Sequence, residues 1–404
     1  MRPPMGPGIL IAAAFVGPGT VTTCILAGAN YGFALIWVLI FAIFATIILQ
    51  GMAVRLGLAG HMGLGTALLK STQNPSLKWI SAGLILGSLV IGNAAYEAGN
   101  ITGGAMGLDA LFTHPNTYVI RYLYPSLIGL IAGLVLFHGR YKILQSILVS
   151  LALIMSACFL ISLVLARPDF SQMITGLKPS LPEGALLPII ALIGTTIVPY
   201  NLFLHSRAVQ EHWKRGRADI PHALRDSAVS ISLGGLVSIL ILATAATTLF
   251  GSAIEVSNGR DMALAIEPAA GPLARYFIGL GLFAAGLTSA ITAPMATAYV
   301  VTEIFPQWGQ KRHAFRSIAL SILAVGLAIS LIGIAPIQII LFAQMVNGLL
   351  LPIIALFLLI MMNRTALLGR AVNTLSANIL GSLAVGVTFL LGLRLILRTF
   401  GLWP

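Results

Sequence analysis

Two short segments of the chain combine glycine, proline and hydroxyl-bearing residues in a pattern that interrupts a helix and frees polar groups. Proline removes a backbone donor and clashes with the preceding turn, and glycine tolerates the unusual dihedral angles of an unwound segment. Each segment lies inside a long apolar run, where freed carbonyls and hydroxyls predict a small polar binding site within a membrane. The candidate binding residues are Gly17, Pro18, Gly19 and Thr20 in the first segment, and Thr195, Thr196, Val198, Tyr200 and Asn201 in the second.

The ligands that these segments offer are neutral oxygens. A divalent transition metal stripped of water prefers carboxylate, thioether or imidazole donors, and hydroxyls and carbonyls compensate poorly for a double charge in a low dielectric. Gly17 offers only a backbone carbonyl, and the Val198 side chain has no ligand atom. Cys24, one turn beyond Thr20, could act as a soft ligand, although a lone cysteine on an apolar helix is more often part of the packing. The metal ligands, if any, stay unknown at this point.

Two titratable residues are candidates for proton coupling. Of the eleven acidic residues, Glu97 lies well inside an apolar run, whereas Glu303 is near a helix end and the other nine are in or beside loops. An intramembrane carboxyl group is a functional candidate, and the alternative for Glu97 is a structural hydrogen bond to a neighbouring helix. His205 follows the second segment by more than one turn and could titrate, but a capping or packing role fits its position equally well.

Two asparagines and a tyrosine could donate hydrogen bonds to a substrate. Tyr200 and Asn201 stand at the start of the second half of an interrupted helix, where capping of that half-helix is the alternative for Asn201. Asn347 is a further candidate because it lies near the middle of a later apolar run. Pairing of Asn347 with Gln344 or with another helix is the alternative there.

The elements that position these residues are apolar helices. Of the 404 residues, 58% are hydrophobic and 8% are charged, whereas ordinary soluble domains carry about 25% charged residues. A bilayer core of about 30 Å needs roughly 20 apolar residues per helix. We therefore predict an all-α integral membrane protein with eleven transmembrane helices. Their approximate extents are 8–30, 33–54, 79–107, 120–137, 144–166, 185–206, 227–250, 276–303, 317–335, 337–362 and 376–397.

The first apolar run could be either a signal peptide or a helix of the fold. The first run is too long, and is followed too closely by another run, for a cleaved signal peptide, so we treat it as a helix of the fold.

Cys24 and Cys158 both fall inside apolar runs. We therefore expect two free thiols rather than a disulfide.

The basic residues predict the orientation in the cell membrane. The net charge of +12 is not read as a sign of nucleic-acid binding, because membrane proteins concentrate Lys and Arg in cytoplasmic loops. With the N-terminus inside, 16 of the 23 basic residues fall on the cytoplasmic side. The sequence thus predicts a multi-pass protein with a cytoplasmic N-terminus and an external C-terminus.

The two interrupted runs are the first and the sixth, and this spacing predicts inverted repeats. Since five is an odd number, a second set of five helices starts on the opposite side of the membrane from the first. We expect one transporter domain over residues 1–404, with repeats at 1–166 and 185–362 and an additional helix at 376–397. Paired breaks at matching positions indicate a central transport site. A pair of ordinary proline kinks is the alternative.

The residues at these breaks resemble the Nramp family of proton-coupled metal-ion transporters, and the resemblance extends over nearly the whole chain. It includes Gly6-Pro7-Gly8, Arg55-Leu56-Gly57, the sixth run through Leu204-His205-Ser206, the eighth from Phe283 to Glu303, and the tenth from Gln344 to Leu351-Pro352. The resemblance implies a LeuT-like fold, with inverted five-helix repeats, an added helix, and alternating access around broken first and sixth helices.

The resemblance departs from the family pattern at the site itself. Family members carry Asp-Pro-Gly-Asn at the first break and Met-Pro-His-Asn at the sixth. The metal-binding Asp, Asn and Met of the family thus fall on Gly17, Thr20 and Val198 in this sequence. The family's sixth-span histidine falls on Tyr200. Glu97 matches the glutamate of the family's proton route, and the aspartate that precedes it in the family falls on Ala94.

Three classes of function are compatible with the sequence. The first is an Nramp-like secondary transporter of a metal cation through an altered site, and the second is a transporter of a small neutral or anionic organic solute. The third is a channel or a non-transporting membrane sensor. The sequence contains no Walker loop and no paired His and Cys cluster, so we expect neither an enzyme nor a bound cofactor. The expected partners are an ion or small-molecule substrate and the lipid bilayer, and the oligomeric state is not predicted.

Overall fold

The computed structural model describes residues 17–70, 74–112, 118–138, 142–252, 254–309 and 312–402, and their regular elements are all helices. Short helices at Leu64–Lys70, Phe170–Thr175 and Gly259–Ala263 lie in the connections. The long helices are α1 Pro18–Tyr31, α2 Ile36–Ala59, α3 Pro75–Phe112, α4 Tyr124–His138, α5 Lys142–Ala166, α6a Leu186–Thr196, α6b Pro199–His212, α7 Ile220–Thr248, α8 Ala274–Ile304, α9 Arg312–Ser330, α10 Pro336–Met361 and α11 Leu375–Thr399.

Each predicted apolar run overlaps one of these helices. Within the described residues, nine helical stretches are long and apolar enough to cross a membrane, so the all-α membrane class is confirmed while the count of eleven stays a prediction. Several boundaries differ from the predicted ones. The third helix continues to Phe112 instead of ending at residue 107, because the apolar pattern is interrupted at Asp109 whereas the helix continues past it.

The second interruption is a true break between two helices. α6a ends at Thr196, and α6b begins at Pro199. Between them Ile197 adopts φ −101° and ψ 73°, and Val198 is extended at φ −75° and ψ 119°. A simple proline kink would keep the helix continuous, so that alternative is wrong for the sixth run.

The first interruption is described on one side. Residues 8–16 of the predicted first helix, including Ala14 to Val16 of the break, lie outside the described residues. α1 starts at Pro18 with Gly17 as its extended N-cap residue. The Gly17 carbonyl accepts the N–H groups of Thr20 at 3.1 Å and Val21 at 3.2 Å. Within the described residues the first helix therefore begins at Pro18, and the break in the first run stays a prediction.

Glycines let the helices around the site approach closely. A side chain on Gly107 of α3 would lie 2.5 Å from the carbonyl oxygen of Gly279 in α8, and one on Gly286 would lie 2.5 Å from the backbone nitrogen of Gly104. In the same way, a Cβ on Gly348 of α10 would meet the Ile190 carbonyl of α6a at 2.5 Å. Small residues at helix interfaces allow such backbone contacts. The two breaks are thus held against a closely packed frame of α3, α8 and α10.

The two cysteines are free thiols, as predicted. Cys24 is fully buried in the core and Cys158 is half-buried.

Candidate substrate site at the two helix breaks

One hydrogen bond joins the two predicted segments. The Thr20 and Thr195 hydroxyl oxygens lie 2.8 Å apart, and both side chains are buried. Thr20 belongs to the first turn of α1, and Thr195 to the last turn of α6a. The structure therefore brings together residues that are 175 positions apart in the sequence.

Thr196 makes different hydrogen bonds from those of Thr195. Its hydroxyl donates to the Leu192 carbonyl of its own helix at 2.9 Å, and its carbonyl lies 3.5 Å from the Thr46 hydroxyl of α2. A hydroxyl bonded to its own helix is a common arrangement for buried threonines and serves the helix itself. The role of Thr196 in binding a substrate therefore stays a prediction.

A pair of tyrosines lies beside the first break. The Tyr96 and Tyr200 rings are 5.7 Å apart at an angle of 58°, and Tyr200 is fully buried. A side chain on Gly17 would lie 3.3 Å from the Tyr96 hydroxyl and 3.1 Å from the Ser289 hydroxyl. Gly17 thus gives the three hydroxyl side chains room to gather next to the start of α1.

Gln344 of α10 fills the space beside Gly19. A Cβ on Gly19 would collide with the Gln344 amide group, so any larger residue at position 19 would displace it. Gln344 is buried, and its Oε1 atom has no hydrogen-bond partner among the described residues. The Asn347 Nδ2 atom also lacks a partner within that part of the chain, and the pairing of Asn347 with Gln344 or with another helix stays untested.

Asn201 does not cap α6b. The N-cap residue of that helix is Val198, which makes no side-chain bond to it, and the Asn201 Oδ1 atom has no partner in the described part of the chain. Burial of a polar atom without a partner costs about 1–3 kcal/mol. Asn201, Gln344 and Asn347 each carry a buried polar atom without a partner among the described residues.

Pro18 and Val198 contribute shape and backbone rather than ligand side chains. A side chain on Gly103 of α3 would collide with the Pro18 ring, which shows that α1 starts directly against α3. Val198 is 2% exposed and forms the extended residue between the two halves of the sixth helix.

The break region is poor in charge. Within the described residues, no group of three or more His, Cys, Asp or Glu side chains is placed to hold a metal ion. Glu97 directly follows Tyr96 but packs against α9, where a Cβ on Gly326 would meet its side chain. Its Oε2 atom lies 3.5 Å from Asn100 Nδ2 on the same helix, and its Oε1 atom has no partner among these residues.

His205 is held by two neighbouring helices. Its Nδ1 atom lies 2.9 Å from Gln50 Oε1 of α2, and its Nε2 atom lies 3.2 Å from the Ser227 hydroxyl of α7. The side chain is fully buried. Both ring nitrogens therefore have partners, which favours a packing role over a mobile proton, although the proton role itself remains untested.

Sequence reasoning missed Tyr96 and Ser289 as parts of this region. Tyr96 is adjacent to the candidate Glu97, and Ser289 lies within the stretch of the eighth helix that carries the family resemblance. A tyrosine or serine on an apolar helix gives no periodic signal of its own, so only the tertiary packing identifies these two residues.

Comparisons with known proteins agree with this architecture. A family model described as natural resistance-associated macrophage protein-like matches residues 8–398. The divalent metal cation transporter MntH of Pectobacterium carotovorum is 27% identical over 406 residues, covering 98% of this chain and 94% of that protein. A mutant of the Eremococcus coleocola manganese transporter has a TM-score of 0.79 at 21% identity, covering 96% of this chain and 85% of that chain.

The fold extends to transporters outside this family. MhsT, solved in complex with L-phenylalanine, has a TM-score of 0.61 at 15% identity and covers 96% of this chain and 98% of that chain. Such neighbours confirm the LeuT-like fold class. Together with the apolar helices they make the chain a multi-pass membrane protein of a transporter fold. Because the family model spans nearly all of the sequence, the chain belongs to the natural resistance-associated macrophage protein-like family, Nramp.

Proposed function

We propose that the chain is a secondary-active transporter of a metal cation that keeps part of its water shell during transport. The observation that carries this proposal is the Thr20–Thr195 hydrogen bond, which joins the two helix breaks through neutral oxygens. The manganese and divalent metal transporters among the relatives support a metal ion as the substrate. Tight binding of a fully dehydrated transition metal is not expected, because the residues at the family's metal-binding positions are Gly17, Thr20 and Val198.

Partial hydration suits the groups that surround the breaks. A cation such as Mg²⁺ gives up its water reluctantly and is often held through several retained waters. Waters bound to a cation donate hydrogen bonds, and hydroxyl and amide oxygens can accept them. The Asn201 Oδ1 and Gln344 Oε1 atoms, which are buried and lack partners among the described residues, are suited to this outer shell. Thr20 and Thr195 would separate to admit the ion.

The hinge for alternating access would be the pair Ile197 and Val198. α6a packs tightly on α10 through Gly194 and Gly348, whereas α6b is joined to α2 and α7 through His205. The two halves of the sixth helix are therefore attached to different neighbours, and the two residues between them have non-helical dihedral angles. Inverted repeats over 1–166 and 185–362 would give the matching motion at Gly17.

We further propose the cell membrane as the location, with the N-terminus in the cytoplasm and the C-terminus outside. The basic residues support this orientation, since 16 of the 23 fall on the side of the N-terminus. Glu97 is the proposed proton-coupling residue, because its carboxyl group is buried one position from Tyr96 at the first break.

A second candidate function is the transport of a small neutral or anionic organic solute. The charge-poor break region favours it, because no cluster of three acidic, His or Cys side chains is found there in the described residues. The N-terminus of α6b also lies at the break, and a helix N-terminus attracts anionic groups. MhsT, a neighbour in fold, was solved with an amino acid.

Uptake into proteoliposomes tests the proposal. Purified protein is assayed with Mn²⁺, Mg²⁺ and Ca²⁺ in parallel with a panel of amino acids and small organic acids. Thr20→Val and Thr195→Val keep the side-chain shape and remove the hydroxyl. We expect each variant to lower metal-ion uptake about 10-fold or more, because hydrogen bonds to charged groups contribute about 1.5–3 kcal/mol.

Thr388→Val is the matched control. Thr388 is also buried, but its hydroxyl donates to the Ala384 carbonyl of its own helix, α11. It should leave uptake unchanged. Uptake of an organic solute without any metal ion would establish the second candidate instead, and the absence of all flux would indicate a sensor.

A further inference from the structure

A cavity lies away from the helix breaks, at the Phe112 end of α3. Its volume is about 310 Å³. One wall is a single face of α3, formed by Thr102, Ala105, Met106 and Asp109, since residues three and four apart share a helix face. The other walls come from the linker before α8, from the start of α4 and from the turn between α9 and α10. We call this cavity the vestibule.

Asp109 and Arg260 form an ion pair at the edge of the vestibule. Arg260 Nη2 lies 3.3 Å from Asp109 Oδ1, and the Asp109 side chain is 12% exposed. Arg260 comes from the linker before α8, which rests directly on α3, where a Cβ on Gly259 would lie 2.8 Å from the Met106 carbonyl oxygen. A distance of 3.3 Å is long for a charge-assisted hydrogen bond, so the pair is a weak one.

The other charged side chains near the vestibule have hydrogen-bond partners of their own. Arg121 donates to the carbonyls of Gly333 at 2.9 Å and Ile332 at 3.4 Å. Asp261 accepts from Ser257 and Asn258 and so closes the cap of the short helix at Gly259. Asp109 is the one acidic side chain that lines the cavity within the described part of the chain.

Thr102 supplies a second, independent sign of a ligand. Its side chain is 4% exposed and lines the vestibule, and its hydroxyl has no hydrogen-bond partner among the described residues. The next residue, Gly103, is the one against which Pro18 of the first break packs. Thr102 therefore lines the vestibule one residue before the position where α3 contacts the first break, and it lies about two helical turns from Asp109.

We propose that the vestibule is a recruiting site for the transported cation, in which Asp109 binds the hydrated ion and Arg260 is a tethered counter-ion that the ion displaces. This inference rests on the proposed function. A divalent ion interacts with a carboxylate about twice as strongly as a guanidinium does at the same distance. Arg260 limits that gain, because the ion must displace it, and so keeps binding weak enough for onward transfer. Waters of the ion would meet the Thr102 hydroxyl.

Direct Mn²⁺ binding tests the proposal. The probe is Mn²⁺ alone, followed by electron paramagnetic resonance on the purified full chain, in which Thr20→Val and Thr195→Val remove the proposed central ligands. Weak binding should persist in that background. Adding Asp109→Asn should weaken the remaining binding about 10-fold, because it removes the charged acceptor that binds the ion, whereas Arg260→Gln should strengthen it several-fold.

Two controls separate binding from folding. Asp109→Glu keeps the charge and should retain the binding, which distinguishes a ligand role from a structural one. Glu255→Gln removes an exposed acid from the same linker that does not line the vestibule, and it should have no effect.

The outcomes distinguish this proposal from the proposed function. Asp109→Asn with unchanged Mn²⁺ binding would overturn the recruiting site while metal-ion uptake could still be observed. Binding that depends on Asp109, in a protein that moves no metal ion into proteoliposomes, would support an Mn²⁺ site in the vestibule and contradict both the transport of metal ions and the recruiting role. Weaker binding in Arg260→Gln would refute the counter-ion role, and no Mn²⁺ binding by the unmodified protein would overturn the whole inference.

Discussion

Thr20 and Thr195 link the two breaks through a hydrogen bond between neutral side chains. The net contribution of such a hydrogen bond is about 0.5–1.5 kcal/mol. A substrate that offers each hydroxyl a new partner can therefore separate them at small cost. A direct salt bridge at the same place would hold the gap closed more firmly.

Glu97→Gln tests proton coupling at the residue scale. Glutamine has the shape of glutamic acid but cannot take up or release a proton, so the pH dependence of metal-ion uptake over roughly pH 5.5 to 7.5 should largely disappear. Initial uptake rates in proteoliposomes across this range provide the measurement. Glu303→Gln, which changes an acid near the end of α8, serves as the control and should keep the wild-type profile. A wild-type profile in the Glu97→Gln variant would remove Glu97 from the coupling.

The sequence predicts that the two interrupted segments share a site, but not which side chains meet there. Paired breaks of inverted repeats are expected to face each other, and only the structure shows that the Thr20 and Thr195 hydroxyl oxygens lie 2.8 Å apart. Gln344, Tyr96 and Ser289 come from three other helices. Which face of an apolar helix points at the breaks depends on its packing, and a helix that is apolar all round carries no amphipathic stripe to indicate it.

At the scale of the helix, glycine contacts decide how the frame packs. Gly107→Leu should destabilise the protein by about 1–3 kcal/mol, the typical cost of overpacking, because its side chain would meet the backbone of α8. Gly87 lies on the same helix and faces open space, so Gly87→Leu is a matched control for length and helix propensity. Thermal unfolding in detergent measures the difference, and equal midpoints for the two variants would contradict the role of the close packing.

Element boundaries show where local patterns stop being informative. The apolar pattern locates the helices because each must span the hydrocarbon core. It underestimates α3, which includes the polar residues Ser76 and Lys78 at one end and Asp109 near the other. Because the predicted helix is too short, Asp109 is assigned to a loop or its border and is not considered as a functional residue. In the structure it lines the vestibule and forms an ion pair with Arg260.

At the scale of the whole molecule, the proposed orientation decides which end of the pathway the vestibule serves. Positive-inside asymmetry places Arg207 to Asp226 in the cytoplasm and the Arg167 to Glu183 connection outside. The Phe112 end of α3 then faces outward, and the Asp109 carboxylate would meet ions arriving from outside. The opposite orientation would make the same cavity an exit site.

Labelling of single cysteines in intact cells tests the orientation. In a background where Cys24 and Cys158 are replaced by serine, Glu183→Cys and Lys214→Cys each place one thiol on an exposed position. A membrane-impermeant maleimide should label the Glu183→Cys variant directly and the Lys214→Cys variant only after the cells are permeabilised. The reverse pattern would invert the topology. The vestibule would then receive the ion after the breaks have released it, and Asp109→Asn would slow export from the site rather than weaken capture.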